Sequence, residues 1–516
     1  MVDNQKLVVL RNLIQENLRV QKGADDRVRY IDSGSSLVDA TSRQNHVVFA
    51  RRGCGKSLLL HSSAKELAPG YRSIYLNCED FKHHSFPNVI IEILDALFIE
   101  LQVNLTGWFG RKKKSKEIIA EIRNELDALR LREDVTERAV RETIAQTKSS
   151  KEGVNVSVGK QGIGSFGLSS GSDDERRRET EAVFSTRSEK LRDLNQWLPQ
   201  LKRKMQDFFK LSSTVTAVIL QVDDFYHLRR EDQPFLVDYI HRLCKDVPIY
   251  FKIATLKHAS ILYVDRGGQP IGAQERHDYQ PINIDYTLND FHRTEIQNKR
   301  ILEEFGALAG MDKDEISALF KGEGFSRLVM AGGGVPRDTL SLFLEALSTV
   351  QQTGDGRIGK DDIRVLSKTN FERRIEELKY DAQTDDHEPL IKGIYTLRQF
   401  CLDRKTNCFL VAERVLQQND RIRSLIYRLL DYRIIHSAGT ALTHKSQEGA
   451  FQAFAVDIGC YAHLRKLRGK MNEVDLSQVD AKEKIRSTPV LDISNFEKQW
   501  ALAPSDAESQ LVADEA

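Results

Sequence analysis

No apolar run in this sequence approaches the roughly 20 residues needed to cross a bilayer, and Met1 to Lys6 lack the charged-then-apolar pattern of an export signal. The expectation is a cytoplasmic protein with no membrane partner. Cysteine is scarce and scattered. The six residues, at 54, 78, 244, 401, 408 and 460, form no C-x-x-C pair, which argues against a disulfide scaffold or a zinc ribbon. Cys78 with His83 and His84 is the nearest approach to a metal cluster, and a strand-end cysteine beside two exposed histidines is the plainer reading. Charge of one sign is also missing: 76 basic residues meet 75 acidic ones for a net charge of +1. No global field draws in nucleic acid, so any such binding must come from a local patch. What is present is a chain of 516 residues, 40% of them hydrophobic, with length for about three domains.

Periodicity divides the chain. Leu7, Leu10, Leu13, Ile14 and Leu18 mark an N-terminal amphipathic helix within 1–23. Short continuous apolar runs follow at 46–50, 73–78, 216–222, 248–254 and 282–284. Each is separated by helical spacing, as parallel strands covered on both faces should be. This predicts an α/β core over 24–287 with a long insertion at 104–212. The insertion carries the basic run Arg111 to Lys114, then Ile119, Ile122, Leu126 and Leu129 on one helical seam. Two interleaved heptad tracks follow, one from Phe184 through Leu191 and Leu198 to Met205, the other from Leu194 through Leu201 to Phe208. The pattern predicts a helical hairpin with a glycine-rich β tip near Val154 to Leu168, separable from the core. Gly162 to Gly167 match G-x-G-x-x-G, but no strand–turn–helix surrounds them, so a dinucleotide site is rejected. A helical lid (288–372), a polar linker (about 373–388), a compact unit at 389–470 and a polar tail (471–516) complete the chain. The order helix, strand, helix, helix, strand, strand in 389–470 is a winged-helix plan.

The chemistry concentrates after the first strand. Ala50-Arg51-Arg52-Gly53-Cys54-Gly55-Lys56-Ser57 follow the P-loop pattern, with alanine in place of the first glycine. Small residues let backbone N–H groups close around phosphates, and the next helix presents its positive end. Ala50, Gly53, Cys54 and Gly55 form the cradle, Lys56 neutralises the β- and γ-phosphates, and the Ser57 hydroxyl is a Mg²⁺ ligand. Asp223 and Asp224 end the strand 216–222, where a metal-holding carboxylate must project beside such a loop. Asp223 is assigned to Mg²⁺ and Asp224 to activation of the attacking water. The ligand predicted is ATP with Mg²⁺, and a shorter Asp where many ATPases carry Glu implies slow or partner-stimulated hydrolysis.

With these motifs, residues 27–370 resemble an AAA+ ATPase of the origin-recognition-like group, which is related to STAND signalling ATPases. The resemblance implies that Thr255, after the strand Ile249 to Ala254, contacts the γ-phosphate as a first sensor. It also implies that Gly334-Val335-Pro336-Arg337-Asp338 is a second-sensor motif, with Pro336 opening a lid helix and Arg337 aimed at the γ-phosphate. Such ATPases complete their site with a neighbour's arginine, for which Arg266 and Arg276 are candidates. In the winged helix, Ile422, Leu425, Ile426, Leu429 and Leu430 are expected to pack inward. Arg421, Arg423 and Arg428 are left to an outer face, with Lys445 in the wing. That arrangement suits double-stranded DNA or, alternatively, a protein partner. Two functions stay open: a nucleotide-driven switch or remodeller acting on DNA, and an ATP-gated protein-assembly scaffold with little turnover. In either case assembly as a homo-oligomer, or with a protein partner, is expected to run through the insertion. A metabolic kinase would leave the lid motif and winged helix without a role.

Overall fold

The computed structural model describes residues 3–18, 28–32, 34–103, 113–131, 170–212, 214–353, 356–382, 384–461, 471–504 and 511, with the side chains of 170–188, 384 and 385 left aside. Helices α1 (Asn4–Asn17) and α2 (Ser36–Thr41) precede β1 (His46–Phe49), α3 (Lys56–Lys65), β2 (Tyr71–Asn77) and α4 (Asn88–Val103). Helices α5 (113–131) and α6 (Ser170–Leu211) lead back to β3 (Ala217–Asp223), α7 (Gln233–Cys244) and β4 (Ile249–Thr255). A hairpin of β5 (Tyr263–Arg266) and β6 (Gln269–Gly272) precedes β7 (Gln280–Asn283). Strands β2-β3-β4-β1-β7 form one sheet, parallel throughout. Every residue of β1 and β3 is buried, which is why both read as unbroken apolar runs.

Two polar side chains inside the sheet fasten its coverings. Gln221 of β3 donates to the Leu60 carbonyl at 2.7 Å and to Ser63 Oγ at 3.1 Å, anchoring α3. Lys252 of β4 donates to the carbonyls of Asp39, Ser42 and Gln44 at 2.8 to 3.0 Å, capping the end of α2. Burial lowers the Lys252 ammonium to about 7. Satisfying three carbonyls offsets part of its desolvation.

The roots of the insertion are not separable from the core. Ile119, Ile122, Leu126, Leu194, Leu201, Met205 and Phe208 are fully buried in the same cluster as Leu97, Val218 and Leu220. The β tip expected near Val154 to Leu168 lies outside the described residues. The two insertion helices hold each other, through Trp197 Nε1–H to Glu125 at 2.8 Å and Lys204 to Glu121 at 3.1 Å, and the same apolar seam also packs them into the core cluster with α4 and α7. Arg130 reinforces this by pairing with Glu92 at 2.9 Å and Asp95 at 3.2 Å on α4.

The lid comprises α8 (Phe291–Leu308), α9 (Lys313–Ser317), α10 (Gly324–Ala331), α11 (Pro336–Thr353) and α12 (Lys360–Asp381). The polar linker expected at 373–388 is instead the end of α12 and the start of α13 (Thr384–Asp403). Ile375 and Leu378 continue the buried stripe of Phe371, and the polar residues between them face ion-pair partners. β8 (Cys408–Ala412), α14 (Glu413–Gln418), α15 (Asp420–Asp431), β9 (Ile435–Thr443) and β10 (Ala450–Val456) complete a winged helix whose antiparallel sheet runs β8-β10-β9. The tail is also ordered where described. Residues 489–491 pair with Leu410 of β8, through Leu410 N–H to the Pro489 carbonyl at 2.9 Å and Leu491 N–H to the Leu410 carbonyl at 2.8 Å. Helices α16 (Ala481–Ile485) and α17 (Ile493–Leu502) bury Ile485 and Phe496 against the module.

Because the insertion roots belong to the core, Leu201→Ala is expected to destabilise the whole chain by about 2–5 kcal/mol. Urea unfolding followed by far-UV circular dichroism measures this. A loss below about 1 kcal/mol would show the insertion to be energetically separate.

Candidate nucleotide site

The parallel register brings three strand ends to one edge. Phe49 of β1 pairs with Thr255 of β4, and Val222 of β3 pairs with Ile253. Ala50, Thr255 and Asp223 therefore project at the carboxyl end of the sheet, where open α/β sheets bind ligands. The loop from β1 to α3 turns through Gly53 (φ 86°) and Gly55 (φ 92°), left-handed conformations that favour glycine. At Gly53 there is a second reason: a Cβ there would stand 2.9 Å from Arg337 Cβ. Arg337 N–H also donates to the Gly53 carbonyl at 3.3 Å, so the first turn of α11 rests on the loop. Lys56 is buried, and its ammonium folds back onto the carbonyls of Ala50 at 3.0 Å and Arg51 at 3.3 Å.

Asp223 is fully buried and accepts from the Tyr75 hydroxyl at 2.8 Å and the Asp224 N–H at 2.8 Å. Asp224 sits at φ 49°, a strained position for a residue other than glycine. Burial, and then the Asp223 charge, push its carboxyl above the usual carboxylate range. Ser57 and Asp224 line the same cavity, with Asp223 directly behind Asp224, and hydroxyl and carboxylate oxygens are the hard donors that Mg²⁺ takes. The mutual repulsion of the two carboxylates is what a divalent cation would relieve.

A cavity of about 320 Å³ opens on this edge. Gly53, Cys54, Gly55, Lys56, Ser57, Asp224 and Arg337 contribute to its lining, and so do Leu18 just past α1, Val28 and apolar side chains of α8 and α11. Ala50, Asp223 and Thr255 lie behind this wall rather than on it. Thr255 Oγ1 is hydrogen-bonded to Ser260 Oγ at 2.5 Å. Burial, and then the neighbouring Arg433, lower the Arg337 guanidinium pKa, so its charge lacks full compensation. Glu377 is its ion-pair partner at 3.5 Å.

Two arginines in the loop carry a role that the motif does not specify. Arg52 pairs with Asp381 at the end of α12. Arg51 is buried and grips Asp285 with Nε and Nη2 at 2.9 Å. It also donates to the carbonyls of Tyr286 and Gly333, each at 3.0 Å, and contacts His436 Nδ1 at 3.3 Å. Burial pushes the Asp285 carboxyl up, but the Arg51 charge and hydrogen bonds prevail and hold it below 3.8. A guanidinium only donates, so His436 Nδ1 accepts and Nε2–H donates to Asp457 at 3.1 Å. Asp457 pairs with Arg374, which reaches Asp338 at 3.0 Å, and Asp338 pairs with Arg433 at 2.6 Å. One buried network thus joins the loop, the lid and the winged helix. Gly333 (φ 62°) makes the approach possible, because a Cβ there would lie 2.1 Å from the His436 ring.

Of the three winged-helix arginines expected on an outer face, Arg421 and Arg423 are exposed, at 55% and 43%, and Arg428 is not. Arg428 is only 11% exposed and pairs with Asp386. Arg421 pairs with Glu497 at 3.1 Å and lies 4.7 Å from the Trp500 ring, under α17. Arg423, paired with Asp420 at 2.7 Å, is the member of the three that stays on the solvent side without a tail contact. Helix α15 is held against the core as well. Asp431 accepts from the N–H groups of His258 at 2.6 Å and Ala259 at 2.7 Å, and Tyr427 stacks on His258 at 4.4 Å. The periodicity of α15 identified its inner face, and only the tertiary neighbours reveal that the outer face is partly covered, at Tyr427 and Arg428. Arg266 and Arg276 sit in and after the β5–β6 hairpin; Arg266 lies 5.0 Å from the Phe235 ring, while Arg276 is 82% exposed.

No family model and no curated protein matches the chain. Two solved structures align with it along most of their length. The ORC1 protein of Aeropyrum pernix in complex with DNA is 11% identical with a TM-score of 0.31, over 98% of this chain and 94% of that one. Drosophila ORC bound to DNA is 11% identical with a TM-score of 0.35, over 89% of this chain and 91% of that one. Both bear the name of the group that the sequence motifs resemble. At these scores neither likeness carries an argument, and the case for nucleotide binding rests on the chain's own geometry.

The network has a pH signature. Burial lowers His436 to about 4 despite the Asp457 carboxylate. Its folded pKa therefore lies below the unfolded value near 6.5, so the unfolded chain binds more protons between about pH 4 and 6.5. The His436 contribution to stability falls on acidification through that window. His436→Asn is expected to show a shallower loss of melting temperature than wild type from pH 6.5 to 4. Parallel slopes would remove His436 from the acid response.

Proposed function

We propose that the chain binds ATP with Mg²⁺, hydrolyses it slowly, and uses the nucleotide state to move a winged helix that acts on double-stranded DNA. The observation that carries this reading is the single cavity running from the glycine loop to an apolar cleft. Backbone N–H groups of the loop and the positive end of α3 meet the phosphates. Lys56 exchanges its two loop carbonyls for phosphate oxygens, and Arg337 supplies a second cation whose charge is presently under-compensated. Asp224 orients and accepts a proton from the attacking water. Ser57 and Asp223 would hold Mg²⁺, which neutralises charge between the β- and γ-phosphates.

DNA binding through α15 is closed off while Tyr427 and Asp431 hold it on the core. The DNA-acting state is therefore one in which α15 has left His258, and the nucleotide controls that release through Arg51 and His436. The insertion is left to contact a second copy or a protein partner.

Lys56→Ala is expected to weaken binding of a fluorescent ATP analogue by at least about tenfold, the loss of a charge-assisted contact. Unchanged affinity in a folded variant would refute the cradle. Asp224→Asn should keep ATP binding and stop phosphate release, because an amide cannot take the proton; release at the wild-type rate would exclude Asp224 as the activating group.

The double variant Tyr427→Ala, Asp431→Ala is expected to bind duplex DNA more tightly than wild type, with affinity that falls steeply as salt rises. Fluorescence anisotropy across a salt series reads this. Absence of salt-sensitive DNA affinity in both proteins would instead favour an ATP-gated protein-assembly scaffold.

A further inference from the structure

Leu18, Val28, Ile301 and Phe305 give the cavity an apolar wall, the lining that an aromatic ring requires. One polar side chain is set into this wall and is spent on nothing that explains it. Gln297 of α8 is 4% exposed, and its Nε2 donates to the Ile31 carbonyl at 2.9 Å. Its Oε1 is buried and has no hydrogen-bond partner among the described residues. The amide cannot be turned over to relieve this, because the Ile31 carbonyl only accepts and so requires the nitrogen to face it. A buried acceptor without a donor is uncommon and destabilising. Other polar groups beside this wall are already accounted for: Asn17 donates to the Leu13 carbonyl of its own helix at 2.8 Å, and Arg29 and Glu304 face solvent.

We infer that Gln297 is the base-specificity residue of this site, reading the 6-position of a purine with its free Oε1. It accepts a hydrogen bond from the 6-amino group of adenine and opposes the 6-oxo group of hypoxanthine or guanine, where two acceptors would face each other. This rests on the nucleotide reading proposed above. Gln297 also fixes Ile31, and through it the segment carrying Tyr30, whose ring lies 3.6 Å from where a Cβ would stand on Gly55. The base-reading group and the phosphate loop are thus held in one frame.

The test is competition against a fluorescent ATP analogue on the full chain, using ATP, purine riboside triphosphate and inosine triphosphate. These differ at the 6-position (amino, hydrogen or oxo), and inosine also protonates N1. Wild type should bind them in that descending order, with about tenfold between ATP and the purine riboside form. Gln297→Leu should bring the first two to within about twofold of each other, whatever it does to overall affinity. Gln297→Glu, which keeps an acceptor and adds charge, should widen the gap between ATP and inosine triphosphate. Equal binding of all three by wild type, or an unchanged ratio in Gln297→Leu, would overturn the inference and leave the nucleotide site standing. If Gln297→Leu does not fold, the wild-type order and the Gln297→Glu ratio decide. Failure of wild type to bind any triphosphate would remove the site reading as well.

Discussion

The contact on which the molecule depends is the grip of Arg51 on Asp285. A buried ion pair is expensive to desolvate, and it holds only when the remaining donors are also satisfied. Here they are: the guanidinium uses its other donors on the carbonyls of Tyr286 and Gly333 and on His436. A single side chain in the phosphate loop therefore touches the segment after β7, the hinge of the lid and the first residues of β9. Around it, Arg337, Arg374 and Arg433 are set against Asp338, Asp457 and Glu377. Removing Arg51 would leave the Asp285 carboxylate without its cation, and the shared partners of Asp338 and Asp457 tie the lid to the winged helix, so the parts cannot drift independently.

Such a network is a physical route for coupling, because its members share protons, charges and packing. In the state described, Lys56 is satisfied by the loop itself, while Arg337 is buried between the anions Glu377 and Asp338 and the like charges of Arg433 and Arg52. An anion placed between them would change both environments, one in contact with the Arg51 carbonyl and the other adjacent to Asp338. A ligand shifts a conformational equilibrium only by its differential affinity for two states, and these two groups are where such a difference would arise. Asp224, on a left-handed backbone beside Asp223, is a further point at which strain is stored on the cavity wall.

Much of the core was legible because its signals are local. Unbroken apolar runs marked β1, β3 and β4, and a glycine-rich octapeptide between a strand and a helix marked the loop. The pair Asp223 and Asp224 followed from standing at a strand end. The rest depends on partners distant in sequence. Arg51 reaches groups 234, 282 and 385 positions away, and no spacing rule connects them. The stretch 373–388 looked like a linker because its polar residues outnumber its apolar ones, although several of those polar residues are buried by ion pairs. Periodicity showed which face of α15 packs inward but not that α13, α17 and the core cover part of the other. Gln297 gave no signal, since an amide on a helix is ordinary until its oxygen is found buried and unpaired.

Helix α6 is continuous over Ser170–Leu211, and among its described side chains Leu194, Leu201, Met205 and Phe208 are fully buried. At 1.5 Å per residue, the stretch from Ser170 to Leu194 covers roughly 36 Å of helix axis. A rigid rod of that kind multiplies angles: a turn of about 10° at the root carries its far end through ~6 Å. That root packs on α7, which leads directly into β4 and so to the edge where Thr255 lies. A rearrangement too small to register as movement at the phosphate loop would therefore arrive at the far end of the rod as a displacement wider than a side chain.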